Sequence, residues 1–93
     1  MSKELTVFYL EGCPYCKNAK RAVEAIGRED KALGDVPIRW IEESREPKLA
    51  EQFDYYHVPS VFLDGEKLYE CSPADDYAVI EDRMRKALRQ ARG

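Results

Sequence analysis

Leu5-Thr6-Val7-Phe8-Tyr9-Leu10-Glu11-Gly12-Cys13-Pro14-Tyr15-Cys16 is the stretch that decides the architecture: an apolar run, a two-residue break, then two thiols three positions apart at the mouth of a helical pattern. Leu5 to Leu10 carries β-branched, aromatic and aliphatic side chains on both alternating faces, the pattern of a strand buried between two layers. A helix is predicted from about Pro14, since proline is tolerated at an early helical position, with Ala19, Ala22, Val23 and Ile26 on one stripe. Cys13 then lies at the helix N-terminus and Cys16 one turn inside it. That spacing brings two sulfurs within reach of a strained, reducible bond, and the positive end of the helix favours a thiolate on the first.

Working outward, Pro37 to Glu42 reads as a second strand carrying Ile38, Trp40 and Ile41, with proline at its start where a missing donor costs little. The charged stretch from Gly27 to Asp35 between them reads as a helix end plus a loop. Glu46 to Phe53 places Leu49, Ala50 and Phe53 at helical spacing, a short crossover helix leading to a third strand, Val58-Pro59-Ser60-Val61-Phe62-Leu63. Asp64-Gly65 ahead of Lys67-Leu68-Tyr69 is a tight hairpin signal, because both residues accept positive φ, so the last two strands are predicted antiparallel. From Pro73 to about Arg92, Tyr77, Ile80, Met84, Ala87, Leu88 and Ala91 recur at helical intervals, with Asp75 and Asp76 in the predicted first turn and arginines toward the end.

A length of 93 residues fits one domain, residues 1–93, with a modest core. Hydrophobic residues at 44% beside charged residues at 35% are ordinary for a soluble globular chain, and a net charge of −3 argues against a nucleic-acid surface. The opening Met1-Ser2-Lys3-Glu4 leads into a strand pattern without an apolar leader, and no run approaches membrane-spanning length, so a cytoplasmic, reducing setting is expected. Three cysteines make no disulfide framework, and in such a setting a C-x-x-C pair points to redox or metal chemistry. Paired carboxylates, a P-loop and a nucleophilic serine arrangement are all missing, which leaves hydrolase and kinase readings without residues.

The predicted order βαβαββα, a C-x-x-C at the first strand-to-helix junction and a Val58-Pro59 opening the third strand resemble the thioredoxin fold, an α/β architecture with a central four-stranded mixed sheet flanked by helices. Cys13-Pro14-Tyr15-Cys16 is similar to the active-site tetrapeptide of dithiol glutaredoxins, and Val58-Pro59 resembles the cis-proline motif of the superfamily. The resemblance covers nearly the whole chain. It implies a dithiol-disulfide oxidoreductase serving cell redox homeostasis and electron transport, with no bound cofactor, glutathione as electron donor, disulfide-containing proteins as substrates, and a monomeric state. Cys13, at the helix mouth, is expected to be exposed and to attack; Cys16, deeper, is expected to resolve the mixed disulfide. Pro14 and Tyr15 would meet the substrate from the active-site loop, Tyr15 as an exposed ring. Pro59 would follow a cis bond, and the main chain of Val58 would pair with an extended substrate segment. Lys17 and Lys20 read as solvated, His57 as structural or as a neighbour of Cys13, and Cys71 as a packed small hydrophobe without a catalytic role.

Three positions depart from the family pattern on one ligand site. Tyr69-Glu70 stands where glutaredoxins usually carry Gly-Gly, Leu10 replaces a lysine that holds a glutathione carboxylate, and His57 replaces the threonine before Val-Pro. These departures favour a glutathione-independent redoxin reduced by thioredoxin reductase as the alternative. A metal or iron–sulfur module is a second alternative, although three cysteines and one histidine lack paired ligand spacing.

Overall fold

The computed structural model describes residues 2–93; Met1, with which the opening stretch begins, lies outside them. Four strands, β1 (Leu5–Tyr9), β2 (Ile38–Glu42), β3 (Ser60–Leu63) and β4 (Glu66–Glu70), form one sheet in the order β2-β1-β3-β4. Strand β1 pairs parallel with β2, Leu5 opposite Ile38 through Tyr9 opposite Glu42, and antiparallel with β3. A parallel neighbour demands a long crossover, and α1 (Pro14–Glu29) with α2 (Lys31–Gly34) supplies it. The short α3 (Pro47–Ala50) leads to β3, and α4 (Tyr77–Arg92) closes the chain. This is an α/β arrangement with a four-stranded mixed sheet between helices.

The double-sided character of β1 has a direct structural cause. Leu5 and Val7 face the larger core with Ala19, Ala22 and Ile26 of α1 and Ile80, Met84 and Leu88 of α4. Phe8 faces the opposite side, against Ile41, Phe62, Phe53 and Tyr55. There the rings of Phe8 and Phe53 lie 4.8 Å apart at 58°, and Phe53 meets Phe62 edge-on at 4.8 Å, geometries that the ring quadrupole favours. Strand β4 carries a bulge, since Val61 pairs with Tyr69 but Phe62 with Lys67, leaving Leu68 without a partner. The extra residue lets both Leu68 and Tyr69 pack toward the larger core.

Several boundaries differ from the pattern read in the sequence. Gly27 to Asp35 is not a helix end plus a loop: α1 runs to Glu29 and a further helical turn follows. Asp30 ends the first and starts the second, its carboxylate accepting the Ala32 and Leu33 N–H groups. The element order is therefore βααβαββα. Strand β1 stops at Tyr9, so Leu10 belongs to the loop that leads to Cys13. Strand β2 begins at Ile38, after Pro37, and β3 begins at Ser60, after Pro59, because proline contributes no ladder donor. Strand β4 extends one residue beyond Lys67–Tyr69 at each end, Glu66 to Glu70. The α3 helix covers only Pro47–Ala50, and Glu51 to Phe53 continue as turn and bend. Helix α4 begins at Tyr77, not Pro73, since Asp76 is its N-cap and accepts the Val79 N–H at 3.0 Å. The Asp64-Gly65 turn takes φ of 52° and 81°, as a primed hairpin requires.

The crossover helices touch through glycine. A Cβ placed on Gly34 would stand 2.9 Å from the Cα of Gly27 and 3.1 Å from its carbonyl oxygen, both backbone atoms that cannot swing aside. Gly34→Ala is expected to cost about 1–3 kcal/mol through forced separation of α1 and α2. In thermal unfolding each kcal/mol of that loss lowers Tm by roughly 4–8 °C for a domain of this size, whereas an unchanged Tm would show that the contact yields freely.

Candidate functional site

The carboxyl end of β1 and the N-terminus of α1 meet at Cys13. Its N–H donates to the Leu10 carbonyl at 3.3 Å, which closes the turn, and its φ of −76° and ψ of 120° are those of an N-cap. The capping acceptor here is sulfur: Cys13 Sγ receives the Cys16 N–H at 3.4 Å. The sulfur thus occupies the place where a helix offers unpaired N–H groups and the positive end of its dipole. Cys13 is half-buried, less open than the exposed thiol the sequence suggested, and Pro14 is exposed beside it.

Cys16 is 2% exposed and lies in the interior. Burial pushes its thiol up to about 12, with the nearby sulfurs of Cys13 and Cys71 acting in the same direction and a hydrogen bond from Leu10 opposing. It is a thiol at neutral pH. Cys71 is also 2% exposed, packed in the larger core, and burial again pushes its thiol upward.

Glu42 holds the loop from beneath. This nearly buried carboxylate at the end of β2 accepts the Glu11 N–H at 3.2 Å, and the Ser44 N–H and hydroxyl at 2.7 and 2.6 Å. These bonds, led by the Ser44 hydroxyl, hold its carboxyl below the usual range, so the side chain remains charged where it is scarcely wet. The parallel register places Glu42 beside Tyr9, two residues before Glu11.

Opposite this loop stands the segment from Tyr56 to Ser60, in which the Val58–Pro59 bond is cis. Glu70 Oε2 accepts both the Tyr56 and the His57 N–H groups at 3.1 Å, and Lys67 Nζ sits 2.8 Å from the other oxygen. Ser60 Oγ donates to the His57 carbonyl, and the Cys71 N–H donates to the Pro59 carbonyl at 3.0 Å. The third wall is the Ser72–Asp75 turn. There Asp75 Oδ2 receives the Tyr69 hydroxyl at 2.6 Å and the Ser72 N–H at 3.0 Å. Tyr15 bridges the walls by donating its hydroxyl to the Pro73 carbonyl at 2.9 Å.

Together these segments enclose a cavity of about 210 Å³ whose lining includes Leu10, Tyr15, His57, Val58, Cys71 and Pro73. The structure therefore brings Cys13, Pro14, Tyr15, Cys16, Val58 and Pro59 to one end of the sheet. Tyr15 is not the free exposed ring expected from its loop position; its hydrogen bond and packing leave it half-buried. Lys20 stacks its ammonium 3.9 Å above the Tyr9 ring and is held away from the groove. His57 is exposed, contributing its backbone N–H to Glu70 and its side chain to the groove lining. Asp75 is not part of a helical first turn but the acceptor of Tyr69 and Ser72.

The Glutaredoxin family model matches residues 5–68, which run from β1 into β4. The chain belongs to the glutaredoxin family. Among solved structures of similar fold is a mutant thioredoxin from Halobacterium salinarum NRC-1, 22% identical at a TM-score of 0.59, covering 94% of this chain and 75% of that one. The germline-specific thioredoxin Deadhead of Drosophila melanogaster is 18% identical at a TM-score of 0.60, covering 91% of this chain and 80% of that one. Thioredoxin 1 from Thermosipho africanus TCF52B is 15% identical at 0.59, covering 97% and 99%. At these identities the likeness is one of fold, the thioredoxin fold. A search of curated protein sequences returns no match.

Within this glutaredoxin-family chain, Tyr69-Glu70 proves to be a strut as well as a departure: Glu70 ties the cis-proline loop to β4 and Tyr69 ties down the next turn. Sequence reading missed Glu42, Glu43 and Ser60: Glu42 and Ser60 bond mainly to backbone groups, and Glu43 accepts the hydroxyl of Tyr55, twelve residues on. The adjacency of Glu42 and Ser44 was the one local hint. Among the described residues no cluster of three or more His, Cys, Asp or Glu side chains is arranged to hold a metal ion, and no helix is long and apolar enough to cross a membrane.

The Glu70 clamp has a pH signature. The Lys67 ion pair, followed by the two N–H groups, lowers its carboxyl from the ordinary value near 4.5, so the clamp is complete above that value and is lost as pH falls through the lower folded one. In a two-dimensional amide NMR titration the Tyr56 and His57 resonances should share one midpoint below 4.5. The transition should vanish in Glu70→Gln; a midpoint retained in that variant would assign it to another group.

Proposed function

We propose that this chain is a dithiol-disulfide oxidoreductase that reduces disulfide-containing proteins or mixed disulfides through Cys13 and Cys16. The observation that carries the reading is the inequality of the two thiols: Cys13 Sγ caps α1 and is half-buried, while Cys16 lies one turn deeper and is held protonated by burial. Cys13 thiolate attacks one sulfur of the substrate disulfide, forming a mixed disulfide and expelling the other sulfur as a thiolate that takes up a proton. Cys16 then gives up its proton as its sulfur attacks Cys13 Sγ, forming the Cys13–Cys16 disulfide and releasing the second substrate thiol. Two electrons pass from the dithiol to the substrate, and an external reductant must return them.

Val58 lines the groove just before the cis Pro59, and there main-chain pairing with an extended segment would align its sulfur with Cys13. Pro14 and Tyr15 complete the rim. For the electron supply the chemistry of the lining favours thioredoxin reductase over glutathione. Glutathione brings two carboxylates, whereas the groove lining holds no lysine or arginine and does hold Glu43. The expected setting is a cytoplasmic monomer without a bound cofactor, acting on protein disulfides and not on nucleic acid or membranes; the acidic balance of the chain bears on nucleic acid alone, which a net charge of −3 disfavours.

Consumption of NADPH with a small disulfide distinguishes the donors. Turnover with thioredoxin reductase, and at least about tenfold less with glutathione plus glutathione reductase, is expected, with none above background for Cys13→Ser in either system. Efficient turnover with glutathione would reverse the donor assignment. Silence of the wild-type protein in both would remove the oxidoreductase reading.

A further inference from the structure

The groove lined by Leu10, Tyr15, Val58 and Cys71 does not end at the cis-proline loop. Glu43 and Tyr56 line it, and the same two residues also line the adjoining depression formed by Pro47, Ala50, Glu51 and Tyr55. Along this combined track every lysine, arginine, aspartate or glutamate in the lining is acidic, namely Glu43 and Glu51. Arg45 and Lys48, the basic residues of the same stretch, line neither depression. Tyr56 is 88% exposed, the most open large apolar side chain among the described residues, and it stands where the two depressions meet. Tyr55 donates its hydroxyl to Glu43 Oε1 at 2.6 Å, which restrains a carboxylate that lines both depressions. A carboxylate beside an open tyrosine ring is the pairing that receives a lysine or arginine side chain, the head on the carboxylate and the stem or guanidinium plane on the ring.

We propose that this track selects substrates in which a lysine or arginine lies within a few residues of the disulfide, Glu43 and Glu51 receiving the cation and Tyr56 its stem. The proposal rests on the oxidoreductase reading above and names the substrate class of that site. It makes the groove cation-selective, opposite in sign to what an anionic tripeptide needs.

The test uses three disulfide-linked peptide dimers, identical except for lysine, glutamate or glycine flanking the cysteine. Their rates of reduction by the reduced protein are measured at low salt, each divided by the rate with dithiothreitol to remove differences in intrinsic disulfide reactivity. The normalised lysine-to-glutamate ratio is expected to be about ten or more in the wild type and to shrink as salt screens the track. In the Glu43→Gln, Glu51→Gln double variant, which keeps an acceptor for Tyr55, the ratio should fall toward one. A wild-type ratio near one, or a ratio that survives in the double variant, overturns the proposal while reduction of the glycine peptide upholds the oxidoreductase reading. Failure to reduce the glycine peptide at all removes both.

Discussion

A sulfur atom stands where a helix normally receives an oxygen cap, and the rest of the site is arranged around that substitution. Cys13 Sγ takes the Cys16 N–H, so the group proposed to react is also the group that begins α1. Serine or aspartate would cap this position as well; only a thiol can both cap and exchange electrons. The same turn of helix that leaves Cys13 half-buried carries Cys16 into the core, where burial keeps it protonated. Two chemically identical side chains thereby acquire different reactivity from position alone.

Holding that sulfur in place falls to the loops at one end of the sheet, and each is tied by a side chain to backbone. Glu42 secures the loop before Cys13, Glu70 with Ser60 secures the cis-proline segment, and Asp75 secures the turn that Tyr15 reaches across to. Three of these anchors are carboxylates held below their usual range by hydrogen bonds or an ion pair, so each remains an acceptor at neutral pH. They do not line the groove itself, where Glu43 is the one carboxylate and no lysine or arginine stands against it.

The two-sided apolar pattern of Leu5 to Leu10, the stripe on α1 and the Asp64-Gly65 turn were legible because each is a local rule with a short period. The same holds for Cys13 and Cys16, whose spacing and place at a strand-to-helix junction are written in a dozen residues. What escaped was contact between distant segments. Glu70 reads in sequence as a bulky, charged replacement beside a ligand site, and only the hairpin register, which sets it opposite Ser60, shows it reaching the Tyr56 and His57 amides. Helix boundaries failed for a related reason: Asp30 and Asp76 each cap a helix whose neighbours also read as helical, and propensity alone does not say which acidic residue ends the pattern.

Site-resolved alkylation at neutral pH, with mass spectrometry reporting each cysteine after a short pulse of iodoacetamide on the reduced protein, tests the inequality of the thiols most directly. Modification of Cys13 alone is predicted in the native protein, with Cys16 and Cys71 reacting only once denaturant exposes them. Comparable labelling of Cys13 and Cys16, or labelling of Cys71 first, would contradict it.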